Sequence, residues 1–292
     1  MRIVLFGKNG QLGWEFQRIL PILGEVIALG RDEVDVSNFR EIQKFLDELK
    51  PDLIINTSAY TDVDQAEKEP ELAMKINAAA PGVMAEAARK NRTVFIHYST
   101  DYVFDGNGDI PYTEKDLANP LNVYGKSKLE GEENVKQAGD AYLILRTSWV
   151  YSVRGNSFVN KVLGWARKNE TLKIVSDQIS NPTWARMLAE ITSFMVAQSN
   201  SNLLEIVRKR RGIYHVAGRG FTSRYEWAKQ ILANDPNLSE QVVRNLEPAQ
   251  SEDFPTPALR PLFSALDCTR FEDTFDLQLP DWSNMLKLAL AK

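Results

Sequence analysis

The part of the chain that most constrains its fold is the amino-terminal stretch. A short apolar run at residues 2–6 is followed at once by a glycine loop and by an amphipathic run that ends at Leu23. This order predicts a buried strand, a tight turn and a helix. Gly7 permits the turn, Gly10 lets the backbone approach a pyrophosphate, and Gly13 lets the helix lie close on the strand. The loop residues predicted to bind a dinucleotide cofactor are Gly7, Asn9, Gly10, Gln11, Leu12 and Gly13.

Strands and helices alternate through the first half of the chain. Apolar runs predict strands near residues 2–6, 25–29, 52–56, 93–98 and 141–146. Helical patterns fall near residues 11–23, 38–49, 70–90 and 123–137. Such alternation is typical of an α/β protein with a parallel sheet covered on both faces. The third predicted helix contains Pro81, so we expect it to be kinked or divided.

We expect two domains of unequal role. Residues 1–150 are predicted to form a Rossmann-type doubly wound parallel sheet that binds NAD(P), and the chain is expected to return to it around residues 184–217. Residues 151–292 are then mainly a smaller C-terminal α/β domain for the substrate. The looser pattern here predicts a helix, a strand and a helix at residues 156–168, 172–175 and 184–199. The polar, proline-rich stretch 247–261 predicts a loop that binds a ligand.

The end of the second predicted strand bears on which cofactor is used. In a dinucleotide-binding fold the adenosine ribose is bound at this point, where the chain has Arg31 and Asp32. A guanidinium would grip the 2′-phosphate of NADPH, whereas a carboxylate would accept from the 2′-hydroxyl of NADH. Arg31 favours NADPH, but use of NADH stays open. Asp35 and Val36 are predicted to meet the adenine, or else to lead into a helix capped by Ser37.

Tyr124 and Lys128 lie four residues apart in a segment, residues 123–136, that we expect to be helical. This spacing puts both side chains on one face of the helix, a turn apart. A tyrosine is a poor proton donor at neutral pH unless its phenolate is stabilised, which a nearby ammonium can do. The pair is therefore predicted to be a general acid; the alternative is two exposed helix residues.

Other polar residues follow the remaining predicted strands. Because ligands in such sheets bind outside the carboxyl ends of the strands, these residues are predicted to meet at one edge. Small residues at 57–59 would let a nicotinamide ribose lie close. The candidates, in chain order, are Ala59 and Tyr60 after the third strand, Thr100 and Asp101 after the fourth, and Trp149 after the fifth.

Composition excludes several classes of protein. A net charge of −4 and a pI near 5.5 argue against nucleic acid as the main partner, and the basic run at residues 208–211 is interpreted as solvated. No apolar stretch approaches the ~20 residues of a membrane span, and the first strand leaves no room for a signal sequence, so we expect a cytoplasmic protein.

Cys268 is the only cysteine, which excludes an internal disulfide. His97 and His215 lie in apolar, strand-like runs and are interpreted as structural.

Several longer motifs point to a known family. They are STDYVFDG at 99–106, PLNVYGKSK at 120–128, RTSWVY at 146–151, DQ-x-x-x-PT at 177–183, RP at 260–261 and LPDW at 279–282. Together with the glycine loop, they resemble the dTDP-4-dehydrorhamnose reductases, which are extended short-chain dehydrogenases/reductases. The resemblance covers nearly the whole chain. One departure is Ser180, where the family usually has glycine.

The resemblance implies transfer of a hydride from NADPH or NADH to the C4 ketone of dTDP-4-dehydro-L-rhamnose, giving dTDP-L-rhamnose. Tyr124 would deliver the proton, Thr100 would hold the carbonyl, and Lys128 would lower the Tyr124 pKa and bind the nicotinamide ribose. The substrate residues implied are Thr100, Asp101, Tyr102, Trp149 and Arg260. The family has been associated with Mg²⁺, for which Glu15 and Glu190 are candidate ligands. The oligomeric state, a homodimer included, stays open.

Two other functions share this fold. A nucleotide-sugar 4,6-dehydratase or epimerase would use the same cofactor, but a dehydratase typically has Asp-Glu directly after the threonine, where this chain has Asp101 and Tyr102. A regulatory subunit of methionine adenosyltransferase binds NADP without a known need for turnover. The missing glutamate disfavours the dehydratase, and the intact Tyr124, Lys128 and Thr100 favour a reductase over the regulatory subunit.

Overall fold

The computed structural model describes residues 1–199 and 202–291, which form a central sheet, flanking helices and three small two-stranded sheets. The strands are β1 (Arg2–Phe6), β2 (Glu25–Leu29), β3 (Leu53–Asn56), β4 (Val94–Thr100), β5 (Tyr142–Thr147), β6 (Val150–Tyr151), β7 (Thr171–Val175), β8 (Ile179–Ser180), β9 (Thr183–Trp184), β10 (Gly212–His215), β11 (Thr222–Ser223) and β12 (Asn245–Ala249). The helices are α1 (Gln11–Ile19), α2 (Phe39–Leu49), α3 (Val63–Ala66), α4 (Pro70–Met74), α5 (Ala80–Asn91), α6 (Val123–Ala138), α7 (Phe158–Ala166), α8 (Ala185–Gln198), α9 (Leu203–Lys209), α10 (Arg224–Ala233), α11 (Thr269–Phe275) and α12 (Trp282–Leu290).

The central sheet has six parallel strands in the order β10-β5-β4-β3-β1-β2. Alternate residues of each strand enter two separate apolar clusters: Ile3 packs with α1 and α8 on one face, and Val4 packs with α2 and α5 on the other. Both faces are therefore buried, which explains the uninterrupted apolar runs. The predicted doubly wound α/β fold is confirmed.

Strand order reverses at β1, which pairs with β2 on one side and with β3 on the other. In doubly wound sheets the crevice at this point, outside the carboxyl ends of the strands, is where ligands bind. The fold thus fixes the place of a site before any side chain is considered.

The predicted interruption near Pro81 takes the form of a π-helical segment, Lys75–Ala79, between α4 and α5. Proline cannot donate to the carbonyl four residues earlier and clashes with it in a regular helix, so the wider turn accommodates Pro81. The carbonyl of Asn77 instead lies against α6, where a Cβ on Gly131 would come within 2.1 Å of its oxygen. Helix α6 can therefore pack closely only with glycine at this position.

The remaining elements enclose a cluster centred on Trp227, which collects side chains from α7, α10 and α12. Strands β7 and β12 form a parallel pair beside it. The predicted loop over residues 247–261 is wrong at its start, because residues 247–249 belong to β12. The polar sequence there reflects an exposed edge strand, where Pro248 needs no backbone donor.

Helix α6 is joined to β5 by a buried ion pair. Glu132 accepts two hydrogen bonds from Arg146, of 2.9 and 2.6 Å, and a third from Ser99 Oγ at 2.5 Å. The two charged side chains are 0% and 4% exposed. Such a pair fixes the position of α6 relative to β5, because removing either partner leaves a buried charge without compensation.

Glu132→Gln should lower the free energy of unfolding by about 3–5 kcal/mol, because the Arg146 guanidinium would stay buried without a counter-charge. The neighbouring Glu133 pairs with Lys136 on the exposed face of the same helix, so Glu133→Gln should cost about 0.5 kcal/mol or less. Urea unfolding of both variants measures the difference. Equal losses would show that the buried pair does not hold α6 in place.

Candidate active site

A cleft of about 930 Å³ opens at the carboxyl ends of the central strands. Its walls come from the segments that follow β1, β2, β3, β4 and β5, so it lies at the crevice that the strand order defines. Gly7 has a positive φ of 89° and turns the chain from β1 towards α1. Gly13 lies behind the loop, where a Cβ would be 2.1 Å from the Gly7 oxygen. The start of α1 therefore faces the cleft.

The cleft brings together the residues predicted to bind the cofactor, with one exception. Gly13 supports the loop from behind and does not line the cavity. Those that do line it are Gly7, Asn9, Gly10, Gln11, Leu12, Arg31, Asp35, Val36, Ala59, Tyr60, Tyr124 and Lys128.

Sequence reasoning did not assign residues 152–156 to the cleft, although Ser152, Arg154, Gly155 and Asn156 line it. The guanidinium of Arg154 lies 3.2 Å from the centre of the Trp14 ring, over the start of α1. A cation at this place would face the phosphates of a dinucleotide. No local pattern marks this loop, because its contact with α1 joins distant parts of the chain.

At the adenosine end, Arg31 lines the cleft and Asp32 does not. The Arg31 side chain is 82% exposed and lies 3.8 Å from Asp35. Asp35 also accepts from the Ser37 backbone N–H at 2.9 Å, which lowers the pKa of this carboxyl. The cap of α2 is Asn38, so the alternative of a Ser37 cap is wrong by one residue.

Tyr124 and Lys128 lie one turn apart near the start of α6, as the spacing predicts. Asn122 caps this helix by accepting from Gly125 N at 2.8 Å, and it donates to Leu259 O at 2.7 Å. A Cβ on Gly125 would lie 2.2 Å from the Tyr102 carbonyl oxygen, so the first turn of α6 touches the turn after β4. This contact puts the rings of Tyr102 and Tyr124 edge to face, 5.8 Å apart.

The electrostatics of the pair differ from the simple expectation. Burial raises the pKa of Tyr124 above its ordinary value, and the adjacent Thr100 hydroxyl opposes this. Burial lowers the pKa of Lys128 to about 8, while Glu132 opposes the shift. Lys128 donates to Tyr98 O at 2.6 Å, on β4, rather than facing the Tyr124 hydroxyl. The predicted lowering of the Tyr124 pKa by Lys128 thus stays a prediction for the complex with cofactor.

The predicted substrate residues gather next to the cleft, around Tyr124. Thr100 and Tyr102 contact Tyr124 directly, and Asp101 lies buried beneath them, 2% exposed. Asp101 accepts from Ser264 Oγ at 2.6 Å, Thr100 Oγ1 at 3.1 Å and Ser180 Oγ at 3.2 Å. Burial raises the pKa of Asp101 to about 6, although these hydroxyls oppose the shift.

Ser180, the one departure from the family pattern, fits this network. Its hydroxyl lies between the Asp101 carboxylate and the carbonyl of Ser264, 3.1 Å from the latter. A glycine here would leave the carboxylate one hydrogen-bond donor fewer. The serine therefore adds a polar contact to a buried acid.

Arg224 is another residue of the site that the sequence did not point to. Its guanidinium stacks 3.7 Å over Trp149, which in turn stacks on Trp227 at 5.5 Å. Trp149 has a left-handed backbone with φ 38°, a strained conformation for a non-glycine residue. Within residues 1–199 and 202–291, no carboxylate pairs with Arg224. Its only local signal is a cation in the first turn of α10, where the helix dipole disfavours one.

Arg260 lies near enough to Arg224 that its charge helps to lower the Arg224 pKa. It donates to Asp64 Oδ2 at 2.7 Å, and the Tyr102 hydroxyl lies beside it. Burial lowers the pKa of Arg224 to about 10. Two neighbouring guanidinium groups in a partly desolvated place can bind an anion.

The metal hypothesis gains no support. Glu15 lies on α1, and Glu190 on α8 pairs with Arg186 at 2.9 Å. The described part of the chain contains no group of three or more His, Cys, Asp or Glu side chains that could hold a metal ion. It also contains no helix long and apolar enough to cross a membrane.

Asp101→Asn should stabilise the protein at pH 8. The folded state binds the Asp101 proton more tightly than the unfolded state, so ionisation costs stability above pH ~6, and this cost disappears towards pH 4. Raising the Asp101 pKa from 3.8 to about 6 corresponds to a loss of up to about 3 kcal/mol in the free energy of unfolding. Urea unfolding should show this gain at pH 8 and little at pH 4, whereas Asn at the exposed Asp109 should give none. A loss of stability at pH 8 would contradict it.

Comparison with known proteins identifies the family of this chain. The family model described as RmlD substrate binding domain matches residues 1–292. A dTDP-4-dehydrorhamnose reductase of Burkholderia thailandensis is 39% identical, over 97% of this chain and 95% of its own. The crystal structure of a dTDP-4-dehydrorhamnose reductase from Clostridium acetobutylicum superposes with a TM-score of 0.90 at 36% identity, covering 99% of this chain and 98% of that one.

A second solved structure contains a cofactor. It is a dTDP-4-dehydrorhamnose reductase from Bacillus anthracis in complex with NADP, with a TM-score of 0.89 at 33% identity, covering 98% of this chain and 97% of that one. The family model and these relatives extend over nearly the whole length of both proteins. The resemblance predicted from the motifs is confirmed, and the chain belongs to the RmlD substrate binding domain family.

Proposed function

We propose that this protein is an NAD(P)H-dependent reductase that converts dTDP-4-dehydro-L-rhamnose to dTDP-L-rhamnose, a precursor of cell-surface polysaccharide. The observation that carries the proposal is the position of Tyr124 and Lys128 in the wall of the dinucleotide cleft, with Thr100 against Tyr124. The activity named for the full-length relatives supports the choice of substrate.

The cleft fits a dinucleotide because its floor is a glycine turn and its rim carries a cation at the adenosine end. The cofactor supplies the hydride. Gly10 and the start of α1 would hold the pyrophosphate, and Arg31 would bind the 2′-phosphate. The NADP in the Bacillus anthracis relative supports NADPH as the first choice. NADH remains the alternative, because Arg31 also lies near Asp35.

The chemistry of the reaction assigns each remaining residue a role. Reducing a ketone puts negative charge on its oxygen, which needs hydrogen-bond donors and a proton. Tyr124 is protonated at neutral pH and can give its proton as that charge develops. Burial raises its pKa and so weakens it as an acid, which the charge of Lys128 would offset in the complex by stabilising the phenolate. The Thr100 hydroxyl lies beside Tyr124 and can donate to the same oxygen.

The diphosphate of the substrate is proposed to bind between Arg224 and Arg260. Arg224 is held rigidly by Trp149 and Phe158, 3.7 and 4.8 Å from the two ring centres. Its donors meet no carboxylate in the described part of the chain, which suits an anion brought by the ligand. Tyr102 lies close to both arginines and to Tyr124, so it links the diphosphate to the sugar.

The competing functions fit less well. Elimination of water by a dehydratase needs an acid–base pair, whereas the carboxyl after Thr100 is buried and bonded to Ser264 and Ser180. A regulatory subunit would not need Tyr124, Lys128 and Thr100 to be assembled at the cleft. Turnover of the keto sugar separates a reductase from both.

Tyr124→Phe should lower the rate of NADPH oxidation with dTDP-4-dehydro-L-rhamnose by ~10²-fold or more, because the proton donor is lost. NADPH affinity should change little. Tyr142→Phe, which removes a hydroxyl outside the cleft from a tyrosine that is 8% exposed, is the matched control and should keep its activity. Cofactor absorbance and identification of the product give the result. Unchanged turnover in Tyr124→Phe would remove this residue from the chemical step.

Arg224→Gln should weaken binding of dTDP by about tenfold to a hundredfold, the effect of losing a charge-assisted hydrogen bond. Binding of thymidine, which has no phosphate, and of NADPH should be unchanged. Arg219→Gln, at an exposed position before α10, is the control. Calorimetric titration of each ligand decides it: equal weakening of dTDP and thymidine would mean that Arg224 does not bind the diphosphate.

A further inference from the structure

A buried chain of hydrogen bonds lies directly beneath Lys128. His97 on β4 is 0% exposed and Asn56 at the end of β3 is 1% exposed. The Asn56 side-chain nitrogen lies 3.1 Å from His97 Nδ1, and Lys128 Nζ lies 3.3 Å from His97 Nε2. Both ring nitrogens therefore have a partner, and the donors and acceptors of the chain can be assigned in order.

The orientation of Asn56 is fixed by Ser58. The backbone N–H of Ser58 donates to Asn56 Oδ1 at 3.0 Å, and its hydroxyl donates to the same atom at 2.6 Å. Turning the amide over would set its NH₂ group against a backbone N–H, with two donors facing each other. Asn56 Nδ2 must therefore point at His97.

This orientation determines the state of His97. Asn56 Nδ2 is a donor, so His97 Nδ1 must be the acceptor and cannot carry a hydrogen. The ring is then neutral, and its single hydrogen lies on Nε2. Full burial and the neighbouring Lys128 lower the pKa of His97 well below its ordinary value, which agrees with a neutral ring.

The hydrogen on Nε2 points at Lys128 Nζ. An ammonium has three donors and no lone pair, whereas a neutral amine can accept from Nε2–H and still donate to Tyr98 O at 2.6 Å. We propose that Asn56 holds His97 in the Nε2–H tautomer, and that His97 is a positioning residue that donates to Lys128 and favours its neutral amine.

The other charged and titratable groups near Lys128 do not replace this contact. Glu132, one turn later on α6, favours the ammonium, but its two oxygens are occupied by Arg146 and Ser99. Tyr124, one turn earlier, is a phenol whose pKa is raised. Burial lowers the Lys128 pKa to about 8, in the same direction as the His97 contact.

The consequence rests on the proposed reductase function. If the ammonium of Lys128 is the form that assists Tyr124, activity should fall as the pH rises through about 8, the Lys128 pKa. An exposed lysine would keep its charge to about pH 10. His97 and Asn56 would then set the alkaline limit of the reaction without touching the substrate.

The tautomer can be measured without any turnover. The chain has two histidines, and His215 Nδ1 lies 3.0 Å from the Tyr112 carbonyl oxygen, so His215 must carry its hydrogen on Nδ1. Protein labelled with ¹⁵N-histidine should show two neutral rings of opposite tautomer at about pH 9, where Lys128 is mostly the neutral amine, and His215→Gln should leave only the Nε2–H signal. A His97 signal with hydrogen on Nδ1, or an imidazolium, would overturn the proposal.

Two variants test the effect on Lys128. His97→Gln lets an amide oxygen accept from the ammonium, and Asn56→Asp keeps the acceptor for Ser58 N while forcing the His97 hydrogen onto Nδ1. The alkaline limb of kcat/KM should move up by about one pH unit or more in both, and not in His215→Gln. A lower kcat with an unmoved limb would mean a merely structural role and would overturn the proposal.

Failure of this inference is distinguishable from failure of the proposed function. The NMR measurement needs neither substrate nor cofactor and uses the full wild-type chain, so it stays decisive if a variant does not fold. Turnover of dTDP-4-dehydro-L-rhamnose by the wild type tests the reductase function on its own. A correct tautomer without turnover, or turnover with the wrong tautomer, would separate the two conclusions.

Discussion

The candidate site depends on how closely α6 lies against the backbone around it. A Cβ on Gly125 would come within 2.2 Å of Tyr102 O, and one on Gly131 within 2.1 Å of Asn77 O, so this helix touches main chain at two levels. The Glu132–Arg146 pair then fixes the position of α6 along strand β5. Because Tyr124 and Lys128 lie on the same helix, these contacts place both of them against the cleft and against β4.

Two charged groups of the site meet no side chain of opposite charge within the described part of the chain, whereas Arg260 pairs with Asp64. Asp101 is buried among hydroxyl groups, and the guanidinium of Arg224 lies on aromatic rings. Each arrangement costs stability in the free protein, a cost that is common where a site must meet the charge of a ligand. The positive groups lie where a diphosphate is proposed, and the buried acid lies beneath the residues proposed to hold the ketone.

Local patterns in the sequence predicted much of this structure. The glycine loop follows a buried strand at once, and the helical spacing of Tyr124 and Lys128 is a property of neighbouring residues. Contacts between distant residues could not be predicted in this way. Arg224 meets Trp149 from another part of the chain, and the apolar run around His97 indicates a core position but not the contact with Lys128. The same holds for Ser180, whose partner Asp101 is far away in sequence.

The π-helical segment before Pro81 carries a side chain that joins two parts of the candidate site. Asn77, inside that segment, accepts from Tyr60 N and donates to Tyr60 O and to Ser127 Oγ, so one side chain joins a cleft loop to α6. Deleting one residue between 75 and 79 would remove the wide turn and leave Pro81 inside a regular helix, where its ring clashes with the carbonyl four residues earlier. Glu69, which leads into α4, accepts from the Tyr60 hydroxyl at 2.7 Å and so holds the same loop from the other side of the segment. The extra residue of the wide turn thus keeps Asn77 at the place where a single amide ties the cleft loop to α6.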